Sequence, residues 1–304
     1  MRGQTETVAA GFASERREAS TRRFQVTPDI SLAADVIGDE TAPPVLLVHG
    51  IGQTRGAWLR VAPAIARQGF RIIAIDMRGH GESDWCPQGD YSLDAFASDV
   101  RSVITQLGSA PLIIGASLGG ISTVLACGED DSLNPRAVAL IDIVPWIAAA
   151  EGNHVRLFMQ NTAQGFASVE EAADAVQRYL PHRPRPRSTA GLMKNLRPTA
   201  DGRLRWHWDP RIVAPRDDWD IADLNARLHK AALALSMPVM LVRGTQSEIV
   251  SAADAARFQS MLPAAEIVEI PDARHMVVGD DNGGFLAAAG DFLLRHSKPE
   301  GRIA

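Results

Sequence analysis

Apolar residues along this chain fall into short runs separated by longer stretches of helical spacing. Val45–Val48, Arg71–Ile75, Pro111–Ile114 and Val138–Ile141 are nearly continuous apolar runs, the pattern of strands buried on both faces. Between them, Trp58–Ala66, Leu93–Leu107 and Leu118–Ala126 read as helices. In the second of these, Phe96, Val100, Val103, Ile104 and Leu107 repeat at helical spacing. Ahead of the first run, Arg23–Val26 and Ser31–Val36 predict a hairpin around Pro28 and Asp29. From Trp146 to about Asp220 the rhythm changes: Trp146, Trp206, Trp208 and Trp219 fall here among many prolines and arginines, Val169–Leu180 looks helical, and no buried-strand run is present. After a helix-like Ile221–Leu235, the strand rhythm resumes at Pro238–Val242 and Ala265–Ile270, with helices at Ala252–Met261 and Phe285–Leu294.

Strands alternating with helices predict an α/β fold, with a mostly parallel sheet covered by helices and joined by right-handed crossovers. The expected boundaries are a polar tail over 1–22, a core over 23–145 and 221–304, and an inserted, mostly helical lid over 146–220.

Composition narrows the possibilities. The 304 residues are 46% hydrophobic and 22% charged, enough for a sizeable core. The net charge of −5 argues against nucleic acid as a partner. Without an apolar run of about 18 residues, no membrane span is expected. The N-terminal residues lack the apolar stretch of a signal peptide, so the default expectation is cytoplasmic. Cys86 and Cys127 lack CxxC spacing and read as free thiols. No clustered metal-ligand pattern appears, and no metal or cofactor is expected.

The chemistry concentrates at Gly115-Ala116-Ser117-Leu118-Gly119, between a predicted strand and a predicted helix. A turn this tight strains the serine backbone, and small neighbours are needed to let it bend. The helix that follows aims its N-terminal N–H groups at the same place, which suits developing negative charge. Ser117 is therefore the candidate nucleophile. His275, in the loop after the last predicted strand, can reach the same sheet edge and is the candidate base. The backbone N–H groups of Ile51, in the loop after Val48, and of Leu118 are candidate oxyanion donors. Trp146, Met276 and Val277 are candidate pocket residues. His49, Asp76 and Arg78 are read as structural, and Arg183–Arg187 as an exposed loop.

Leu46–Gly50 (LLVHG), Asp76–Ser83 (DMRGHGES), Gly115–Gly120 (GASLGG) and Ala273–Met276 (ARHM) together resemble the α/β-hydrolase superfamily, in its serine-nucleophile esterase branch with a helical lid. The resemblance implies an eight-stranded sheet with an antiparallel second strand, and a Ser–His–acid triad in that chain order. The acid departs from the usual pattern. At the position after the post-lid strand where the family usually carries an aspartate, this chain has Ser247, with Glu248 one residue later. Asp142, 25 residues after Ser117 at the end of the strand before the lid, matches the placement in some relatives and is favoured; Glu248 is the alternative. The function expected is hydrolysis of a carboxylic ester of a small-to-medium hydrophobic substrate through an acyl-enzyme on Ser117. Lactone, amide or carbon–carbon hydrolysis and cofactor-independent oxygenation use the same residues. A non-catalytic small-molecule receptor is the alternative of another class.

Overall fold

The computed structural model describes residues 19–147, 152–183, 185, 188–214 and 221–297. Strands β1 (Ser20–Thr27), β2 (Ile30–Ile37), β3 (Pro44–Val48), β4 (Arg71–Ile75), β5 (Leu112–Ala116), β6 (Ala137–Ile141), β9 (Val239–Gly244) and β10 (Glu266–Ile270) form one sheet. Its order is β1-β2-β4-β3-β5-β6-β9-β10, with β2 antiparallel to both neighbours and every other pairing parallel. The predicted hairpin is β1–β2.

The central strands are buried because their side chains serve two cores. Leu46, Val48, Ile73 and Ile75 face one, while Val45, Leu47, Ile72 and Ala74 face the other. Alternation along a strand sends neighbours to opposite faces, so a run covered on both sides must be apolar throughout. The covering helices include α1 (Ala62–Ala66), α2 (Leu93–Leu107), α3 (Leu118–Gly128), α6 (Ile221–Leu233), α7 (Ala252–Met261) and α8 (Asn282–Arg295). Helix α2 matches its expected bounds: Ser92 caps its first turn through the N–H of Ala95, and Gly108 ends it at φ 69°.

Two local expectations change. Trp58–Ala66 is not one helix: a 3-10 turn, Arg55–Trp58, precedes α1, which starts afresh with proline in its first turn. Pro63 has no N–H to donate backwards, so a helix cannot run through it from Trp58. The sheet also begins at Ser20, inside the expected tail. Ser20–Arg22 pair with Val36, Asp35 and Ala34, and an edge strand with outward polar side chains leaves no apolar stripe to read. Residues 1–18 of that tail lie outside the described residues.

Between β6 and α6, the inserted segment holds α4 (Gly152–Thr162), α5 (Val169–Tyr179), a 3-10 turn at Thr189–Asn195, and a hairpin of β7 (Leu196–Pro198) and β8 (Leu204–Trp206). The hairpin and α4 were not anticipated. Asp201-Gly202, with Gly202 at φ 77°, is the turn signal that marks the hairpin in the sequence.

Register fixes the functional edge. Val48 pairs with Gly115, and Ala116 with Ile141. The chain therefore leaves β3, β5, β6 and β9 at one level, where loops from a parallel sheet converge.

Candidate active site

Ser117 follows β5 directly and precedes α3. Its backbone sits at φ 48°, ψ −118°, outside the regions open to an ordinary side chain. Such strain costs about 1–3 kcal/mol and persists only where the surroundings enforce it. Here they do. The Ser117 N–H donates to the Ile141 carbonyl, and its own carbonyl accepts from Ile121. A Cβ on Gly115 would lie 2.8 Å from the Gly119 carbonyl oxygen, and one on Gly119 2.4 Å from that of Val48. The flanking glycines let strand, elbow and helix approach this closely.

Asp142 leaves β6 in the same manner, also at φ 48°, and is fully buried. A buried carboxylate must have its lone pairs satisfied. Its Oδ1 accepts the Gly244 N–H at 3.1 Å, and its Oδ2 accepts both the Ser247 hydroxyl and His275 Nδ1 at 2.8 Å. The Ser247 hydroxyl in turn accepts the N–H groups of Ile249 and Val250, each at 3.0 Å. Asp142, and not Glu248, therefore meets the ring of His275. Glu248 is exposed and, among the described residues, hydrogen-bonds the His275 backbone N–H, at 3.4 Å, and not its ring. Ser247 was not singled out as a functional residue; its hydroxyl holds the Asp142 carboxylate that arrives from the neighbouring strand.

With Nδ1 bound to Asp142, the other ring nitrogen of His275 is free to accept a proton. His275 and Ser117 line one cavity of about 1010 Å³ without a direct hydrogen bond between them; catalytic bonds often tighten only when substrate binds. Ile51, Met276 and Val277 line it too. Trp146 does not: its indole N–H donates to Asp254 at 3.0 Å, and Arg257 stacks 4.2 Å over its ring, so it packs on α7. In its place the inserted segment supplies Phe158, Met159, Tyr179, Trp206 and Trp208 to the cavity wall. Phe158 and Tyr179 stack at 4.3 Å. Trp206 and Trp208 are buried as well as lining the cavity. Trp219 lies outside the described residues. Within the Arg-rich stretch, Arg183 pairs with Asp280 and Arg185 with Asp174, while Arg187 lies outside the described residues.

The donors complete the arrangement. Among the described residues, neither the Ile51 nor the Leu118 N–H has a protein acceptor, although the N–H groups on either side of Ile51 do. Gly50 donates to Gln53 Oε1 at 3.0 Å and Gly52 to His80 Nε2 at 3.1 Å. No group of three or more His, Cys, Asp or Glu able to hold a metal occurs among the described residues.

The structural reading of the remaining loops holds. Asp76, fully buried, accepts the N–H groups of Arg55 at 2.7 Å and Glu82 at 2.8 Å, and pairs with the Arg55 side chain. Arg78 forks onto Asp99 with two bonds of 2.6 Å. His49, His80 and His207 are all buried. His49 bonds the Gly50 carbonyl through Nδ1 at 2.8 Å and accepts the Met77 N–H at Nε2. His80 bonds the Arg78 carbonyl through Nδ1 at 2.9 Å, and His207 Nδ1 accepts the Gly81 N–H at 3.0 Å. Burial pushes each of the three down to about 3, helped by a neighbouring imidazole in each case.

An elbow serine, a carboxylate-bound histidine and backbone donors without a protein acceptor among the described residues meet on one sheet edge, and the family comparison agrees with the fold. Residues 43–281 match the family model described as alpha/beta hydrolase fold. The chain belongs to the α/β-hydrolase family. The curated relatives of this α/β hydrolase include an sn-1-specific diacylglycerol lipase from Mus musculus, 25% identical over 84% of this chain and 82% of the relative. An esterase from Mycobacterium tuberculosis is 30% identical, covering 71% of this chain and 70% of its own length. A 2-(acetamidomethylene)succinate hydrolase from Mesorhizobium japonicum is 28% identical over 78% and 83%. A crystal structure of E-2-(acetamidomethylene)succinate hydrolase superposes with a TM-score of 0.78 at 26% identity, covering 90% of this chain and 99% of that one. These relatives are hydrolases, which supports hydrolytic activity for this α/β hydrolase. No described helix is long and apolar enough to cross a membrane.

Proposed function

We propose that this chain is a serine hydrolase that cleaves a carboxylic ester of a small-to-medium hydrophobic substrate. The observation that carries this assignment is the 2.8 Å bond from His275 Nδ1 to the buried Asp142, on the same cavity as the strained Ser117.

In this mechanism His275 takes the Ser117 proton as Oγ attacks the ester carbonyl. Asp142 fixes the ring tautomer and stabilises the imidazolium. The N–H groups of Ile51 and Leu118 hold the tetrahedral oxyanion. His275 then protonates the leaving alcohol, and water, deprotonated by the same ring, releases the acid and regenerates Ser117. No cofactor takes part in these steps. Residues 146–220 act as a lid over the substrate. Phe158, Met159, Trp206, Met276 and Val277 give the cavity aromatic and aliphatic walls, which suit an apolar acyl or alcohol group.

The test is hydrolysis of p-nitrophenyl acetate and butyrate by the wild type and by Ser117→Ala. Turnover by the wild type and a loss on the order of 10³-fold or more in the variant is expected. Equal, slow rates for both proteins on both esters would rule the assignment out.

A further inference from the structure

We propose that His80 and His207 are positioning residues for the oxyanion loop, so that the inserted segment sets the donor at Ile51. This inference rests on the acyl-transfer assignment above.

The loop after β3 presents three consecutive amides, and only the middle one is free. The Gly50 N–H is held by Gln53, and the Gly50 carbonyl accepts the Gln53 N–H at 3.1 Å. The Gly52 N–H is held by His80 Nε2. Pinning both flanks leaves the Ile51 N–H in place for the cavity, with no reorganisation needed when charge develops.

The grip on Gly52 is made by His80 and backed by the inserted segment. His80 belongs to the loop after β4; with its Nδ1 on the Arg78 carbonyl, its Nε2 can only accept. His207 belongs to the inserted segment, immediately after β8, and its backbone N–H donates to the Asn195 carbonyl at 3.1 Å. Its Nδ1 accepts the N–H of Gly81, the residue that follows His80. The His80 and His207 rings lie 6.3 Å apart. Helix α4 closes the same spot: a Cβ on Gly52 would stand 3.2 Å from the Met159 sulfur. The neutral imidazole of His80 has one donor and one acceptor, and both are committed to loop backbone. Removing His207 therefore releases the Gly81 N–H beside His80, loosens the His80 hold on Gly52 and lets the Ile51 N–H move with it. A displacement of about 1 Å at a reacting centre costs on the order of 10²-fold in rate.

The experiment compares wild type, His207→Ala and His207→Gln, the last keeping an acceptor and a donor at similar reach. Readouts are kcat and KM for p-nitrophenyl butyrate, inhibition by butylboronic acid, which forms a tetrahedral adduct on serine, thermal melting, and amide exchange at Gly52 and Gly81. For His207→Ala the expectation is a kcat loss on the order of 10²-fold, KM within about two-fold, and weaker boronate inhibition in step with kcat; His207→Gln should recover part of each. A folded His207→Ala with unchanged kcat and boronate inhibition overturns the proposal. So does a loss shared by KM and melting temperature that His207→Gln does not rescue. If the wild type turns over no ester, the acyl-transfer assignment has failed, and amide exchange decides the loop-holding claim alone. Gly52 and Gly81 protected in the wild type and released in His207→Ala support it; amides unprotected in the wild type overturn it.

Discussion

Lowering the pH should destabilise this protein through its three buried imidazoles. His49, His80 and His207 sit near pKa 3 when folded and near the usual 6.5 when unfolded. Their folded values are depressed, so below 6.5 the unfolded chain binds more protons than the folded one. Stability is full above that pH and falls steadily as pH drops toward 3. Each histidine contributes a slope of about 1.4 kcal/mol per pH unit. At pH 5 the loss is about 2 kcal/mol per histidine and about 6 kcal/mol for the three. Against a total stability of about 5–15 kcal/mol that is a large fraction, equal to a melting-temperature drop of roughly 10 °C. Asp76 and Asp99 work in the opposite direction. Burial raises both, so they gain stability as pH falls through the window just above 3.8. A variant comparison removes their contribution. Thermal melts at pH 7, 6 and 5 should show the wild type losing stability, and His207→Gln losing about two-thirds as much per pH unit, since one of three titrating rings is gone. A flat wild-type profile, or an unchanged slope in His207→Gln, would refute the argument.

Other consequences are as direct. Asp142→Asn should lower kcat by on the order of 10⁴-fold, because the amide favours the wrong imidazole tautomer; Glu248→Gln, which alters only a backbone contact, should stay within about three-fold, and steady-state kinetics on p-nitrophenyl butyrate distinguish the two. Ser247→Ala removes one of three donors to the buried Asp142 carboxylate and should lower kcat by about 10-fold while melting drops by about 1–3 kcal/mol, measured by kinetics and urea unfolding together. Asp99→Ala strands the Arg78 guanidinium in the core and should cost about 3–5 kcal/mol in urea unfolding.

The family, the sheet and two of the three proposed catalytic side chains were legible in the chain because their signals are local. Buried strands read as apolar runs, α2 as a 3.6-residue period, and the Ser117 elbow as a serine among glycines between strand and helix. What the sequence could not settle depended on neighbours brought together by pairing. Asp142 and Glu248 leave adjacent strands at one sheet edge, so only the β6–β9 register and the donors from Gly244 and Ser247 decide which carboxylate meets the His275 ring. Trp146 looked like a pocket residue from its place beside Asp142, but its side chain turned to α7, whose Asp254 and Arg257 lie more than a hundred residues away in sequence. The bonds from Gly52 to His80 and from Gly81 to His207 had no sequence signal, since they join residues 28 and 126 apart through ring nitrogens and backbone. Periodicity and turn chemistry are written along the chain. Which polar group satisfies which buried partner is decided by the packed whole, where each donor and acceptor hidden from water must be matched.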